Sequence, residues 1–184
     1  MKIFKRIILL TLVLVLLCFV GLQAAKALYP KKYLPEIVNA CNKYNIDPYL
    51  CLAVIKAESN FVSDAQSGKD AIGLMQITEP TAVWIAEKLN YSDIDVERLK
   101  EPSVNIEMGV WYLSYLLKIY NNDVTLALCA YNAGHGNVDQ WLQNEAYSLD
   151  GKTLTKIPFS ETNNYVIQIE KNIKIYKKLY PNIK

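Results

Sequence analysis

Three short segments carry the side chains that could do chemistry. Glu58-Ser59-Asn60-Phe61 places a carboxylate where an apolar helix ends. Gly73-Leu74-Met75-Gln76-Ile77 sets one amide among apolar side chains behind a glycine, and Ala130-Tyr131-Asn132-Ala133-Gly134 joins a phenol and a second amide to a small-residue turn. Cys51, Val54, Ile55 and Glu58 recur at spacings of three and four, so the carboxylate continues an apolar stripe. The helix that carries it starts at Asp47-Pro48, an N-cap side chain followed by a proline suited to the first helical position. Glu58 falls in its last turn, where the helix dipole disfavours negative charge. Burial and dipole both push a carboxyl pKa upward. An acid still protonated near neutral pH is what cleavage of a glycosidic bond needs, because the leaving oxygen must receive a proton. The same spacing also suits a glutamate that reaches solvent from a helix end.

The other two segments are ambiguous when taken singly. Gly73 permits close backbone approach or a positive φ, and Gln76 offers a donor and an acceptor to a sugar amide or hydroxyl. A helix start with Leu74 and Ile77 in the core, and Met75 as filler, explains the same residues. Tyr131 can donate a hydrogen bond near a reacting centre and Asn132 can orient a neighbour, yet an ordinary Asn/Gly helix end reads alike. Pro158-Phe159-Ser160-Glu161-Thr162 is a helix start with an acidic residue in its first turn. His135 reads as a solvated loop residue beside the Tyr-Asn turn.

The elements that must position these groups are helical. Leu34, Ile37, Val38 and Cys41 outline a first short helix, which Asn45-Ile46-Asp47-Pro48 ends before the Glu58 helix begins. A polar loop from Ser59 to Gly73 follows, then a helical pattern from Pro80 to Leu89. The most regular stripe is Ile106, Val110, Leu113, Leu117 and Tyr120, starting after Pro102. Asp123 caps a helix running into Tyr131, Gly134 and Gly136 mark a tight turn, and Val138 to Leu142 form a short helix. After a loop through Gly151 and Pro158, Val166, Ile169, Ile173, Tyr176 and Tyr180 step along a final helix. No segment longer than four residues alternates as a strand. The expected fold is mainly α.

Length and composition add limits. The 184 residues, 52% hydrophobic, suffice for one domain with a real core plus one accessory segment. A net charge of +2 without any basic run argues against nucleic acid as a partner. One histidine and no CxxC or HExxH spacing argue against a metal site. Lys2, Lys5 and Arg6 precede an apolar run from Ile7 to Leu22, which suits either an uncleaved membrane anchor or a removed signal peptide ending at Ala25-Lys26-Ala27. We expect residues 1–28 to be this targeting segment and residues 29–184 the domain it delivers outside the cytoplasm. Leu17 before Cys18 does not suit a lipoprotein signal. Cys41, Cys51 and Cys129 fall in expected helices among apolar neighbours and read as buried free thiols.

Taken in order, the segments resemble the catalytic domain of the soluble lytic transglycosylases, lysozyme-like enzymes that cut bacterial peptidoglycan. The resemblance spans about residues 34–180. It rests on Glu58 to Phe61, Gly73 to Ile77, Asn105-Ile106 with Gly109 and Tyr112-Leu113, Ala130 to Gly134, Val138, Trp141, Ile157 to Phe159, Glu161-Thr162 and Tyr165. It implies a lysozyme-like helical domain in which Glu58 is the single catalytic acid and base. It further implies substrate contacts from Ser59, Met75, Gln76, Tyr131, Asn132 and Glu161, and no metal or organic cofactor. The implied partner is the peptidoglycan glycan strand, cut between N-acetylmuramic acid and N-acetylglucosamine with a 1,6-anhydro ring as product. The N-terminal segment adds the membrane as a partner, and protein partners are not specified. A hydrolytic muramidase, a noncatalytic glycan-binding module and a scaffold subunit of an envelope complex are the alternatives.

Overall fold

The computed structural model describes residues 2–91 and 94–183. It divides into two compact units, Met1–Lys31 and Lys32–Lys184. The first is one continuous helix, α1 (Lys2–Leu28), whose apolar side chains are exposed along its length. At 1.5 Å per residue its 27 residues extend about 40 Å, more than the roughly 30 Å of a bilayer's hydrocarbon layer. Within it, Ile3–Leu28 is long and apolar enough to cross a membrane. Thr11 breaks the apolar run without leaving a polar group unmet, because its hydroxyl donates to Ile7 O at 2.9 Å.

The second unit contains α2 (Leu34–Tyr44), α3 (Pro48–Glu58), β1 (Ala71–Ile72), β2 (Ile77–Thr78), α4 (Glu79–Leu89), α5 (Val96–Leu99), α6 (Pro102–Ile119), α7 (Val124–Ala133), α8 (His135–Leu142) and α9 (Ser160–Leu179). It is mainly α, as the periodicity requires. Local chemistry sets the helix starts. Asp47 accepts from Tyr49 N at 2.9 Å and Asp123 from Leu126 N at 2.9 Å, while prolines occupy the first turns of α2, α3, α4 and α6.

The core forms around α3. Its residues Tyr49 to Ile55 are all buried, so this helix is apolar on every side and needs cover from several neighbours. The most extensive cover comes from α9, with α2 beside it; α7 also packs on α9. Side-chain bonds fix α3 to the end of α9, where the Tyr49 hydroxyl donates to Tyr180 O at 2.5 Å. Another set fixes α2 to α6: Glu107 accepts from Lys43 at 2.5 Å and Tyr44 at 3.0 Å, and from Tyr91 at 2.5 Å. Cys41, Cys51 and Cys129 are buried free thiols, with the Cys41 and Cys51 sulfurs 3.0 Å apart.

Three elements differ from the sequence expectation. Gly73 to Ile77 is not a helix start but the turn of a small antiparallel hairpin, in which Ala71 pairs with Thr78 and Ile72 with Ile77. Two-residue strands are too short to alternate, so periodicity passes over them. The one-turn helix α5 is equally brief. Gly136 lies inside α8, leaving Gly134, at φ +87°, to make the turn between α7 and α8 alone.

Candidate active site

Glu58 is the last residue of α3, and the chain turns sharply behind it. Asn60 and Phe61 both take positive φ, at 50° and 65°, a rare conformation for a bulky side chain. The Phe61 ring is 2% exposed, so its burial compensates for the backbone conformation that brings it there. Ser59 is buried, and its hydroxyl lies 2.8 Å from Leu74 O, to which it donates. That bond ties the end of α3 to the hairpin.

The carboxyl of Glu58 is partly buried, and its pKa is pushed up from 4.5 to about 7, with burial as the cause. One hydrogen bond works against the shift: Tyr165, from α9, donates its phenol to Oε1 at 2.6 Å. Among the described residues no other side chain bonds to Glu58. Burial, and then the nearby Glu58 charge, raises the pKa of both Tyr165 and Tyr131, so both phenols stay protonated. The site therefore combines one carboxyl poised near neutrality with two neutral phenols.

The hairpin turn is held from beneath by Asn105 of α6, a fully buried amide. Its Nδ2 donates to Ile72 O at 2.9 Å and Leu99 O at 2.8 Å, and its Oδ1 accepts from Met75 N at 2.7 Å. Gly73, at φ +80°, sits where a Cβ would overlap the Asn105 amide. Gly109 is required for a similar reason, since a Cβ there would overlap the Met75 side chain. From above, the Tyr131 hydroxyl donates to Met75 O at 2.7 Å. Gln76 folds back on the loop, its Nε2 donating to Gly73 O at 2.9 Å and Ala65 O at 3.1 Å.

These placements sort the expected site residues. Gln76, Tyr131 and Asn132 line one cavity of about 250 Å³ together with Thr78, Thr81 and Tyr112. Asn132 is steadied by α9, accepting from the Thr162 hydroxyl at 2.8 Å. Ser59 and the Met75 side chain instead face the interior, where they hold the hairpin. Glu161 stands exposed at the start of α9, 3.5 Å from Lys69. The bond from Tyr165 to Glu58 has no signal in helical spacing, which gives that tyrosine only a core position beside Val166 and Ile169. Asn105 is likewise a polar residue in an apolar stripe, identifiable from the family pattern alone. Among the described residues, no group of three or more His, Cys, Asp or Glu side chains could hold a metal ion.

The profile of the transglycosylase SLT domain matches residues 36–154, most of the second unit. The chain belongs to this family. Among its relatives, the soluble lytic murein transglycosylase of Salmonella typhimurium is 36% identical over 138 residues, 74% of this chain but 21% of that protein. The membrane-bound lytic murein transglycosylase C of Yersinia enterocolitica is 31% identical over 168 residues, 80% of this chain and 47% of that protein. An inactive glutamate-to-glutamine mutant of the lytic transglycosylase Slt from Pseudomonas aeruginosa superposes with a TM-score of 0.72 at 32% identity, over 82% of this chain and 24% of that one. The 70-kDa soluble lytic transglycosylase of Escherichia coli gives a TM-score of 0.76 at 26% identity, over 86% and 26%. This SLT chain thus spans about a fifth of its soluble relatives and about half of the membrane-bound one. Tyr165 and Glu161 lie beyond the residues that the family profile matches.

Proposed function

We propose that this chain is a peptidoglycan lytic transglycosylase, with Glu58 acting first as acid and then as base. The observation that carries the reading is one carboxyl, its pKa near 7, whose partner among the described side chains is a phenol and not a second carboxylate. A glycosidase ordinarily uses two carboxylates; one suffices if the substrate supplies the second group. Protonated Glu58 gives its proton to the glycosidic oxygen between N-acetylmuramic acid and N-acetylglucosamine as the bond from that oxygen to the anomeric carbon breaks. The acetamido group of the muramyl unit helps to carry the positive charge. Glu58, now ionised and stabilised by the Tyr165 hydrogen bond, takes the proton from the muramyl C6 hydroxyl. O6 closes on the anomeric carbon, and a 1,6-anhydro ring forms without consuming water. Gln76, Tyr131 and Asn132 would border the sugar at the cavity they share, while Ser59 and Met75 keep the hairpin in place. Glu161, exposed at the rim, would meet the strand or its peptide.

The segment 1–28 would anchor the domain 29–184 at the outer face of the cytoplasmic membrane. Support comes from the length and apolar character of α1, and from relatives described as membrane-bound. Fractionation followed by N-terminal sequencing tests this, and a soluble product starting near Leu28 would replace the anchor with a cleaved signal peptide. For the chemistry, the full chain in detergent micelles is incubated with purified peptidoglycan and the products are weighed by mass spectrometry. Anhydromuropeptides support the reading. Products heavier by one water would assign a hydrolytic muramidase, and no release would leave a binding or scaffold role.

A further inference from the structure

A second cavity, of about 450 Å³, adjoins the one beside Tyr131. Pro80, Thr81, Trp84, Tyr112, Tyr115 and His135 line it, and Thr81, Tyr112 and Gly134 belong to both cavities. The two therefore share a wall. Aromatic rings run along the same path: Tyr131 to Tyr112 at 5.4 Å between centroids, Tyr112 to Trp84 at 6.1 Å, and Trp84 to Tyr115 at 4.9 Å. Trp111 stacks on Tyr115, 12° from parallel, and also packs against Trp84 at 5.3 Å. Trp111 does not line the cavity but holds the two rings that do.

We infer that Trp84 and Tyr115 form a distal sugar-binding platform, which takes the glycan strand as it leaves the cavity beside Tyr131. The inference rests on the proposed glycan substrate and extends it. Pyranose rings present C–H faces that suit aromatic surfaces and hydroxyls that need polar neighbours. This cavity supplies both, with Trp84 and Tyr115 as surfaces, and Thr81 and His135 as hydrogen-bonding groups. Tyr115 is 37% exposed, so its ring is open to such a contact. The three-ring cluster restricts Trp84 before any ligand arrives, which reduces the ordering cost of binding. The concave, partly polar lining suits a sugar better than the flat apolar face at which a membrane would dock.

Strand length is the variable to test. With full-length protein in detergent, KM and kcat are measured on polymeric peptide-free glycan strands and on the shortest oligosaccharide that is cleaved. Trp84→Ala should lower the preference for long strands about tenfold, the scale of one aromatic contact, and the change should fall in KM. Trp84→Phe should restore part of it. If Trp84→Ala does not fold, as judged by its melting curve, Tyr115→Ala at the exposed ring decides, with a smaller loss of the same kind. Equal loss on both substrates would make the platform structural and overturn the inference, as would an unchanged length preference. Loss of vesicle binding or of self-association, with length preference intact, would assign the face to a membrane or a second copy instead. Failure of the catalytic reading is read separately: strands pulled down by the full chain in a platform-dependent manner, without anhydro products, would retain the platform and remove the chemistry.

Discussion

Tyr165 and Glu58 stand 107 residues apart in sequence, and the phenol of one donates to the carboxyl of the other at 2.6 Å. The contact balances two opposing influences on one proton. Burial favours the protonated form that the proposed acid step would use, and the hydrogen bond favours the carboxylate that the proposed base step would use. A pKa near 7 would let one group serve both proposed steps at neutral pH.

Replacing Glu58 by Gln keeps the shape of the side chain and abolishes proton transfer. We expect release of anhydromuropeptides to fall by about 10²- to 10⁴-fold, with strand binding retained. Near-normal turnover in a folded Glu58→Gln protein would refute the mechanism.

The same substitution has a stability signature. Folded Glu58 keeps its proton up to about 7, whereas the unfolded side chain releases it near 4.5. Between these values the folded state binds more protons, so stability falls as pH rises through that window and stays lowered above it. The gap corresponds to at most about 3 kcal/mol. Glu58→Gln lacks this penalty, so its melting temperature should gain on the parent chain as pH climbs from 4.5 to 7. A constant difference across that range would mean that burial does not perturb the carboxyl.

Tyr165→Phe removes the donor but leaves the ring against α3. Without the hydrogen bond the ionised carboxyl is less favoured, so the alkaline limb of the pH–rate profile should move up by about one pH unit. The maximal rate should drop, because the proton-donating step then forms a carboxylate that has lost its hydrogen-bond donor. A lower rate with an unmoved limb would reduce Tyr165 to a packing residue.

Tyr131→Phe leaves Met75 O without the phenol that meets it. We expect about 1–3 kcal/mol of lost stability together with slower turnover, measured by denaturant melts and product release. Unchanged values of both would show that the hairpin keeps its place without this bond.

Asn105→Ala withdraws support from Ile72 O, Leu99 O and Met75 N at once. A buried amide with three such bonds should cost about 3 kcal/mol or more. Gly73→Ala should act through the same contact, by overlap with the Asn105 amide at a positive φ. Parent-like melting of both variants would contradict the tether.

Much of the helical frame can be read from local chemistry. Asp47-Pro48 and Asp123 mark the starts of α3 and α7 because a cap is made within three residues of itself. The stripe through Cys51, Val54 and Ile55 gives Glu58 its buried side for the same reason. The rest depends on contacts that the chain makes at a distance. Nothing local distinguishes a strand of two residues at Ala71-Ile72, or says that Asn105 will meet three backbone groups from two other segments. Met75 reads equally as groove or core until Gly109 is seen to leave room for it. Tyr165 is a core tyrosine by its spacing, and only the packing of α9 on α3 turns its hydroxyl toward the acid.

That packing also governs timing. A polypeptide is made from its first residue to its last, so Glu58 emerges from the ribosome long before its phenol partner exists. Thr162, which steadies Asn132, comes just before that partner, and Tyr180, whose carbonyl receives the Tyr49 hydroxyl, is later still. A nascent chain therefore holds every group of the first half of the site, yet cannot assemble the pair. Until the final helix is complete, the Glu58 carboxyl is therefore without the donor that Tyr165 supplies, in an unfinished or shortened chain alike.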